Sequence, residues 1–227
     1  MWGLRGLILG KPDGPSDIVA GVPISLASLV DPTTTAVVTS ELQNGVVGER
    51  SALPALADAA RATMLPAAGR LVKAARAAGV QVVHATAYRR ADGKGANTNA
   101  RLFAGVRRSP VPLLPGTPEV EVVPEVGVEP EDLVLVRTHG LNPMAGTDLD
   151  PVLRNLGVRT IVAVGVSVNV AITNLVMDAV NKGYQVVLPR DAVCGIPADY
   201  ADALIDNTLA LLATVTTVDE LTAAWSP

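Results

Sequence analysis

From residue 33 onward, short apolar runs rich in β-branched residues alternate with longer segments in which apolar residues recur every three or four positions. The first pattern predicts strands that are buried on both faces, and the second predicts helices that cover them. The predicted strands are 34–40, 80–86, 133–136, 160–166, 184–188 and 214–217, and the predicted helices are 54–78, 148–156, 169–182, 198–212 and 218–225. This alternation predicts an α/β fold: a three-layer α/β/α domain with a mainly parallel six-stranded sheet and right-handed crossovers.

The predicted elements differ in how strongly the sequence defines them. The run at 160–166 is the most apolar of the predicted strands, so we expect it at the centre of the sheet. Residues 1–32 contain several Pro and Gly and have no clear period, which predicts an N-terminal arm that packs on the domain or on a partner subunit. Residues 33–227 form the predicted domain, in which 89–131 are expected to be a flexible loop followed by irregular, Pro-rich cover.

Charge and composition exclude several function classes. A formal net charge of −4 without a cluster of Lys and Arg argues against nucleic acid or an anionic membrane surface as the main partner. One Cys excludes an internal disulfide, and one Cys with two His leaves few ligands for a metal such as zinc, so we expect no metal. The chain has neither an apolar run of the roughly 18 residues needed to cross a bilayer nor a convincing signal peptide, so we expect a cytoplasmic protein.

Polar side chains follow several of the predicted strands, and ligands bind parallel sheets at the carboxyl ends of their strands. Glu41 follows the first predicted strand, Arg137 follows the third, and Ser167 and Asn169 lie between the central strand and its helix. A carboxylate, a guanidinium and a helix N-terminus that favours an anion or a developing oxyanion are therefore expected at one sheet edge. Asn169 is predicted to cap that helix. The alternative is that Glu41 and Arg137 form a structural salt bridge in a closed cleft.

Two blocks of sequence resemble a known family. The first is AVVTSELQNGVVG, and the second is GTDLDPVLRNLGVRTIVAVGVSVNVAITNLVMDAVNKGYQVVLPRDAVCG. Residues 34–221, which include both blocks, resemble the isochorismatase-like (cysteine hydrolase) superfamily. The resemblance implies the isochorismatase-like fold, a small-molecule ligand, no cofactor, and a homodimer or homotetramer. The absence of glycine-rich phosphate motifs also gives nucleotide binding little support.

The resemblance also implies a catalytic site, and this sequence departs from it at all three positions. Family members place an Asp after the first strand, a Lys at the end of the third, and a Cys on the helix after the central strand. The Cys attacks a carbonyl, the Asp takes its proton and the Lys stabilises the pair. Here the corresponding positions hold Glu41, Arg137 and Ala171. A Cys→Ala change made to trap a ligand would explain Ala171 alone, so a divergent branch of the family is favoured.

Other residues near the strand ends are expected to bind the ligand. They are Gln43, His84, His139, Ser167, Val168 and Asn169, of which the two histidines are interpreted as hydrogen-bonding residues that line the pocket. The single cysteine, Cys194, lies after the fifth predicted strand and is interpreted as a buried apolar residue rather than a nucleophile.

These residues are compatible with three different functions. In the first, Glu41 is a general acid that protonates a vinyl ether, after which water attacks the oxocarbenium ion; the permanent cation of Arg137 opposes that role unless it binds a substrate carboxylate. In the second, the protein is a pseudoenzyme that binds a small ligand or serves as a structural subunit. In the third, Glu41 activates water for attack on an amide or ester, with the helix N-terminus as the oxyanion hole. Ala171 has no nucleophilic atom, so none of the three uses a thiol intermediate.

Overall fold

The computed structural model describes residues 17–19 and 22–226, and the chain folds around one parallel sheet. The strands are β1 (Asp17–Val19), β2 (Val22–Ile24), β3 (Thr35–Ser40), β4 (Gln81–Ala87), β5 (Leu133–Arg137), β6 (Thr160–Val166), β7 (Gln185–Pro189), β8 (Val193–Cys194) and β9 (Thr214–Thr216). Six strands lie in the order β5-β4-β3-β6-β7-β9, and the two-residue β8 pairs with β6. Every pair in this sheet is parallel. The predicted α/β fold with a six-stranded parallel sheet is confirmed.

Helices cover both faces of the sheet, as the strand sequences require. The α-helices are α1 (Leu26–Leu29), α2 (Asn44–Val47), α3 (Pro54–Ala59), α4 (Leu65–Ala77), α5 (Arg101–Arg108), α6 (Leu149–Asn155), α7 (Thr173–Asn181), α8 (Ala198–Asn207) and α9 (Val218–Ala224). A π-helical turn, Ala60–Met64, joins α3 to α4, and a second one, Val168–Ile172, leads into α7. None of the helices in the described part of the chain is long and apolar enough to cross a membrane.

The core consists of two apolar layers, one on each face of the sheet. Alternate residues of a strand point to opposite faces, so Val37 belongs to one layer and Val38 to the other. β6 lies between β3 and β7, and all of its residues are buried, which confirms the predicted central position of this strand. The apolar sequence of Thr160–Val166 suits this position, because both faces of β6 are shielded from water.

Several elements differ from the sequence-based expectation. The segment 89–131 contains α5, whereas we predicted only a loop and irregular cover there. α5 has eight residues and none of them is buried, so this short helix is hard to distinguish in the sequence from the Gly- and Asn-rich loop that precedes it. The short α2 and β8 were not predicted either, because four and two residues are too few to show a period.

The predicted N-terminal arm, 1–32, lies partly outside the described residues. In its described part, the backbone carbonyl of Val30 accepts a hydrogen bond of 2.8 Å from the indole Nε1 of Trp225. The hydroxyl of Thr160 donates to the carbonyl of Leu29 at 2.7 Å, and both Leu29 and Val30 belong to the core. The end of the predicted arm is therefore joined to the domain, while the boundary at residue 32 stays a prediction.

Gly165 brings the ends of β3 and β6 into close approach. A Cβ at this position would lie 2.3 Å from the carbonyl oxygen of Ser40, and φ is +111°. Gly165→Ala should therefore lower the free energy of unfolding by about 2 to 3 kcal/mol. Gly157→Ala is the control, because φ is +73° there but no atom lies within 4 Å, so only about 1 kcal/mol is expected. Urea unfolding checks both variants, and equal losses would contradict the close approach.

Candidate active site

The strand register brings several of the predicted site residues to one edge of the sheet. Ser40 of β3 lies opposite Gly165 of β6, so the residues that follow these two positions leave the sheet side by side. Ala87 of β4 lies opposite Arg137 of β5, at the same end of the sheet. Glu41, which follows β3, and Arg137 therefore flank β4 at its carboxyl end.

Glu41 and Arg137 form a direct ion pair at this edge. The guanidinium Nη2 of Arg137 donates a hydrogen bond to Oε1 of Glu41. The side chain of Arg137 is 6% exposed and that of Glu41 is 19% exposed, so bulk water screens the pair poorly. Glu41 has a φ of +55°, in the left-handed region, and its amide donates to the carbonyl of Ala85 at 3.0 Å. Strain at a non-glycine residue of this kind is concentrated at functional sites.

A cavity of about 320 Å³ is lined by this ion pair. The volume lies at the lower end of the range for small-molecule sites. His139 lines the same cavity, as predicted for a pocket residue. Most of the remaining wall is apolar, with contributions from α5 and from the segments around it: Val46, Leu53, Leu102, Phe103, Val106 and Leu113. The cavity therefore combines a charged floor with an apolar wall.

Two arginines at the cavity have buried nitrogen atoms without hydrogen-bond partners. Within the described residues, these atoms are Nε and Nη1 of Arg137 and Nε of Arg89. Buried polar groups are normally paired, and each one left unpaired costs about 1 to 3 kcal/mol. These unpaired donors favour an acceptor or an anion inside the cavity.

The structure does not bring His84 to this cavity. His84 lies on β4 with 0% exposure, and its Nδ1 is 2.9 Å from the hydroxyl of Thr39. Its Nε2 is 3.2 Å from Oδ2 of Asp132. Burial lowers the pKa of His84 below its ordinary value of 6.5, and the opposing effect of the Asp132 carboxylate is smaller. Both ring nitrogens of His84 therefore have hydrogen-bond partners within the protein, and neither is free to bind a ligand.

The side chain of Gln43 is likewise hydrogen-bonded to groups of the protein itself. Its Nε2 donates to the carbonyls of Ala87 at 2.9 Å and Val120 at 2.8 Å, and its Oε1 accepts from the amide of Ala87 at 2.8 Å. The side chain is 0% exposed and is not part of the cavity lining. Gln43 thus fixes the carboxyl end of β4, which in turn positions the residues that follow this strand.

The residues after β6 lie at the same sheet edge but outside the cavity lining, which includes none of Ser167, Val168, Asn169 and Ala171. Ser167 is the N-cap of the turn, so the prediction that Asn169 caps this helix is wrong. Asn169 instead accepts a hydrogen bond of 3.1 Å from the amide of Ile196 and donates to its carbonyl at 2.8 Å. Val168 is fully buried and Ala171 is 4% exposed.

Cys194 lies closer to this edge than its position in the sequence indicates. It belongs to β8 and pairs with Val166 of β6. Strands in a sheet are about 4.8 Å apart, so Cys194 is roughly 10 Å from the backbone of Glu41 across the sheet. Burial raises the pKa of its thiol, which disfavours the reactive thiolate, and Cys194 does not line the cavity.

Arg89 and α5 are the parts of the site that sequence reasoning missed. Arg89 follows β4 within a stretch that we interpreted as a flexible loop, although its amide donates to the carbonyl of Leu113 at 3.0 Å. The signal for α5 was the spacing of Leu102 and Val106, one helical turn apart. Among the described residues, no group of three or more His, Cys, Asp or Glu side chains could hold a metal ion.

The sequence of this chain matches a known family and several related proteins. A family model described as Isochorismatase domain matches residues 35–220. A ureidoacrylate amidohydrolase, RutB, from Rhizobium rhizogenes is 29% identical over 213 residues, which cover 86% of this chain and 85% of that protein.

Solved structures agree with the match to the family model. A cysteine hydrolase from Pseudomonas syringae pv. phaseolicola has a TM-score of 0.75 and 25% identity, covering 87% of this chain and 94% of that one. An isochorismatase family protein from Desulfovibrio vulgaris has a TM-score of 0.73 and 26% identity, covering 84% of this chain and 97% of that one. The similarity therefore extends over nearly the whole described domain.

Proposed function

The chain belongs to the isochorismatase family, and on this basis we propose that it hydrolyses a small molecule by general acid–base catalysis, without a thiol intermediate. The reacting bond in this proposal is a C–N or ester bond next to a carbonyl. Glu41, Arg137 and Ala171 take the positions that hold Asp, Lys and Cys in cysteine hydrolases of the superfamily. Because Ala171 offers no nucleophilic atom, water is the attacking group.

The observation that carries the proposal is the Glu41–Arg137 ion pair in the cavity lining. Nη2 of Arg137 donates a hydrogen bond to Oε1 of Glu41, whereas Oε2 has no hydrogen-bond partner within the described residues. A carboxylate with one oxygen fixed and the other free is suited to orient a water molecule and take its proton. The guanidinium of Arg137 is a permanent cation, and its hydrogen bond holds the Glu41 side chain in place.

The proposed reaction proceeds through a tetrahedral intermediate. Glu41 takes a proton from water while the water oxygen forms a bond to the carbonyl carbon, and the carbonyl electrons move onto its oxygen. The intermediate then restores the carbonyl and breaks the bond to the leaving nitrogen or oxygen, and Glu41 returns the proton to that leaving group. The guanidinium of Arg137, which lines the same cavity as Glu41, supplies positive charge that stabilises the developing oxyanion.

The ion pair also favours this chemistry over protonation of a vinyl ether. A general acid must carry a transferable proton on its carboxyl group, whereas Oε1 of Glu41 accepts a hydrogen bond from the permanent cation of Arg137. The name of the RutB relative, an amidohydrolase, points to cleavage of a C–N bond in that protein. Both arguments support an amide, carbamoyl or ester substrate for this chain.

A substrate panel tests the proposal. Purified protein is incubated with N-carbamoyl amino acids, aryl carboxamides, aryl esters and a vinyl ether carboxylate, and the products are identified by mass spectrometry. We expect turnover in at least one of the carbonyl classes. Turnover of the vinyl ether alone would contradict the base role of Glu41. Binding without any turnover would favour a pseudoenzyme, since a fixed ion pair also suits a retired site.

Cys194→Ser should leave kcat/KM for the best panel substrate within about threefold of the parent value. The thiol has a raised pKa, lies outside the cavity lining and packs against the core, so its loss removes no reacting group. Steady-state kinetics of the variant checks this expectation. Because Cys194 lies at the same sheet edge as Glu41, a loss of 100-fold or more would show that the thiol takes part.

A further inference from the structure

We infer that Arg89 binds the anionic group of the ligand, and that the ligand is a monocarboxylate with an apolar body. This inference rests on the proposed function in that it concerns the same cavity, and it names the chemical class that the cavity accepts. It depends on three features of the described residues: an uncompensated cation, an apolar wall and backbone hydrogen bonds that attach Arg89 to the segments beside it.

The cation is uncompensated because the acidic residues of the cavity already have partners. The charged side chains in the lining are Glu41, Arg89, Asp92, Arg107 and Arg137. Glu41 is paired with Arg137, and Asp92 is paired with Arg90 at 2.8 Å. Within the described part of the chain, the guanidinium of Arg89 has neither an ion pair nor a side-chain hydrogen bond, and its Nε is buried.

A half-buried guanidinium without a counter-ion is poorly solvated, which is costly unless an anion enters the site. Arg107 also lines the cavity, but it is exposed and water hydrates it. An anion in the cavity would therefore gain most from Arg89. A carboxylate suits this position because its two oxygens match the donors of a guanidinium.

The backbone fixes Arg89 close to the proposed catalytic pair. The amide of Tyr88 donates to the carbonyl of Arg137 at 3.1 Å, and the amide of Arg89 donates to the carbonyl of Leu113 at 3.0 Å. Arg89 therefore starts one residue beyond the pairing between β4 and β5, next to the strand end that carries Arg137. A carboxylate on Arg89 would lie in the same cavity that Glu41 and Arg137 line.

The apolar wall determines the rest of the ligand. Leu102, Phe103 and Val106 of α5 line the cavity on one side, with Leu53 and Leu113 from other segments. Such a wall favours a hydrocarbon or aromatic body. The volume of about 320 Å³ limits this body to a small molecule.

Binding of a matched pair of compounds tests the inference without requiring turnover. Isothermal titration calorimetry compares 4-phenylbutyrate with the methyl ketone 5-phenyl-2-pentanone, which has nearly the same shape but neither a charge nor a bond that the proposed reaction could hydrolyse. The parent protein should bind the carboxylate at least about tenfold more tightly than the ketone. Arg89→Met should remove this preference by weakening carboxylate binding at least tenfold, with ketone binding changed less than twofold.

Arg108→Met is the matched control, because Arg108 is exposed, does not line the cavity and has no ion pair within the described residues. Its carboxylate affinity should equal that of the parent. Equal affinity of the parent for both compounds, or equal losses in the Arg89 and Arg108 variants, would overturn the inference. If the carboxylate preference depends on Arg89 but no panel compound is hydrolysed, the proposed function fails while this inference stands.

Discussion

Glu41→Gln should lower kcat/KM for the best panel substrate by about 100-fold or more, which is the usual loss when a general base is removed. Gln has nearly the same shape as Glu, and its carbonyl oxygen can still accept the hydrogen bond from Arg137. It has no carboxylate to take a proton from water, so the attack on the carbonyl loses its base. The measurement is steady-state kinetics of the variant beside the parent.

Two controls separate catalysis from structural damage. Glu49→Gln makes the same chemical change at an exposed residue that does not line the cavity, and this variant should retain parent activity. The Glu41 variant should still bind 4-phenylbutyrate, which shows that its cavity is intact. Parent-like turnover in the Glu41 variant would mean that another group activates the water.

Asp132→Ala should lower the free energy of unfolding by about 4 kcal/mol, because it removes the shared acceptor of a buried network. The carboxylate is 2% exposed and accepts from Nη2 of Arg76 at 2.6 Å, from the amide of Glu129 at 2.8 Å and from His84 at 3.2 Å. Its loss leaves all of these donors without this acceptor. Urea unfolding measures the effect.

Asp219→Ala is the control for Asp132→Ala. Asp219 also pairs with an arginine, Arg70, at 3.4 Å, but its side chain is 87% exposed, so its removal should change stability by less than about 1 kcal/mol. Similar losses in the two variants would contradict the importance of burial. If Asp132→Ala does not fold, Asp132→Asn keeps an acceptor oxygen and should show a smaller loss than the alanine variant.

The same network should make the parent less stable in acid. Burial lowers the pKa of His84 below 6.5, so its contribution to stability is present above that pH and is lost as the pH falls through its folded value. Burial raises the pKa of Asp132, but hydrogen bonds from Arg76, the Glu129 amide and His84 outweigh this effect and lower it below 3.8. Stability measured by urea unfolding should therefore fall from pH 7.5 to pH 5.5 and fall further below pH 4.

Much of the fold could be predicted because the strands are apolar and continuous. The sequence at 160–166 alone indicates a strand with both faces covered, and β6 has that position. The boundaries of α5 could not be predicted in the same way, because that helix covers a cavity and buries none of its residues. Its apolar residues Leu102, Phe103 and Val106 lie on one face, but a helix of eight residues beside a Gly- and Asn-rich loop is too short for that face to stand out in the sequence.

The candidate site could be predicted only in part. That Glu41 and Arg137 share an edge follows from parallel strands, whose carboxyl ends lie together. Which side chains face the cavity depends on three-dimensional packing, and His84 and Gln43 turn instead to partners distant in sequence, Asp132 and Val120. The uncompensated charge of Arg89 is likewise visible only when the ion pairs around it are known.

Intact-protein mass spectrometry of a quenched reaction tests the central claim most directly. The parent protein is mixed with an excess of its best ester or amide substrate, stopped in acid during the first turnovers and weighed. Because water attacks the substrate in the proposed mechanism, the protein should keep its unmodified mass while product accumulates. A mass increase equal to the acyl group, located on Cys194 or on any other residue, would contradict the account.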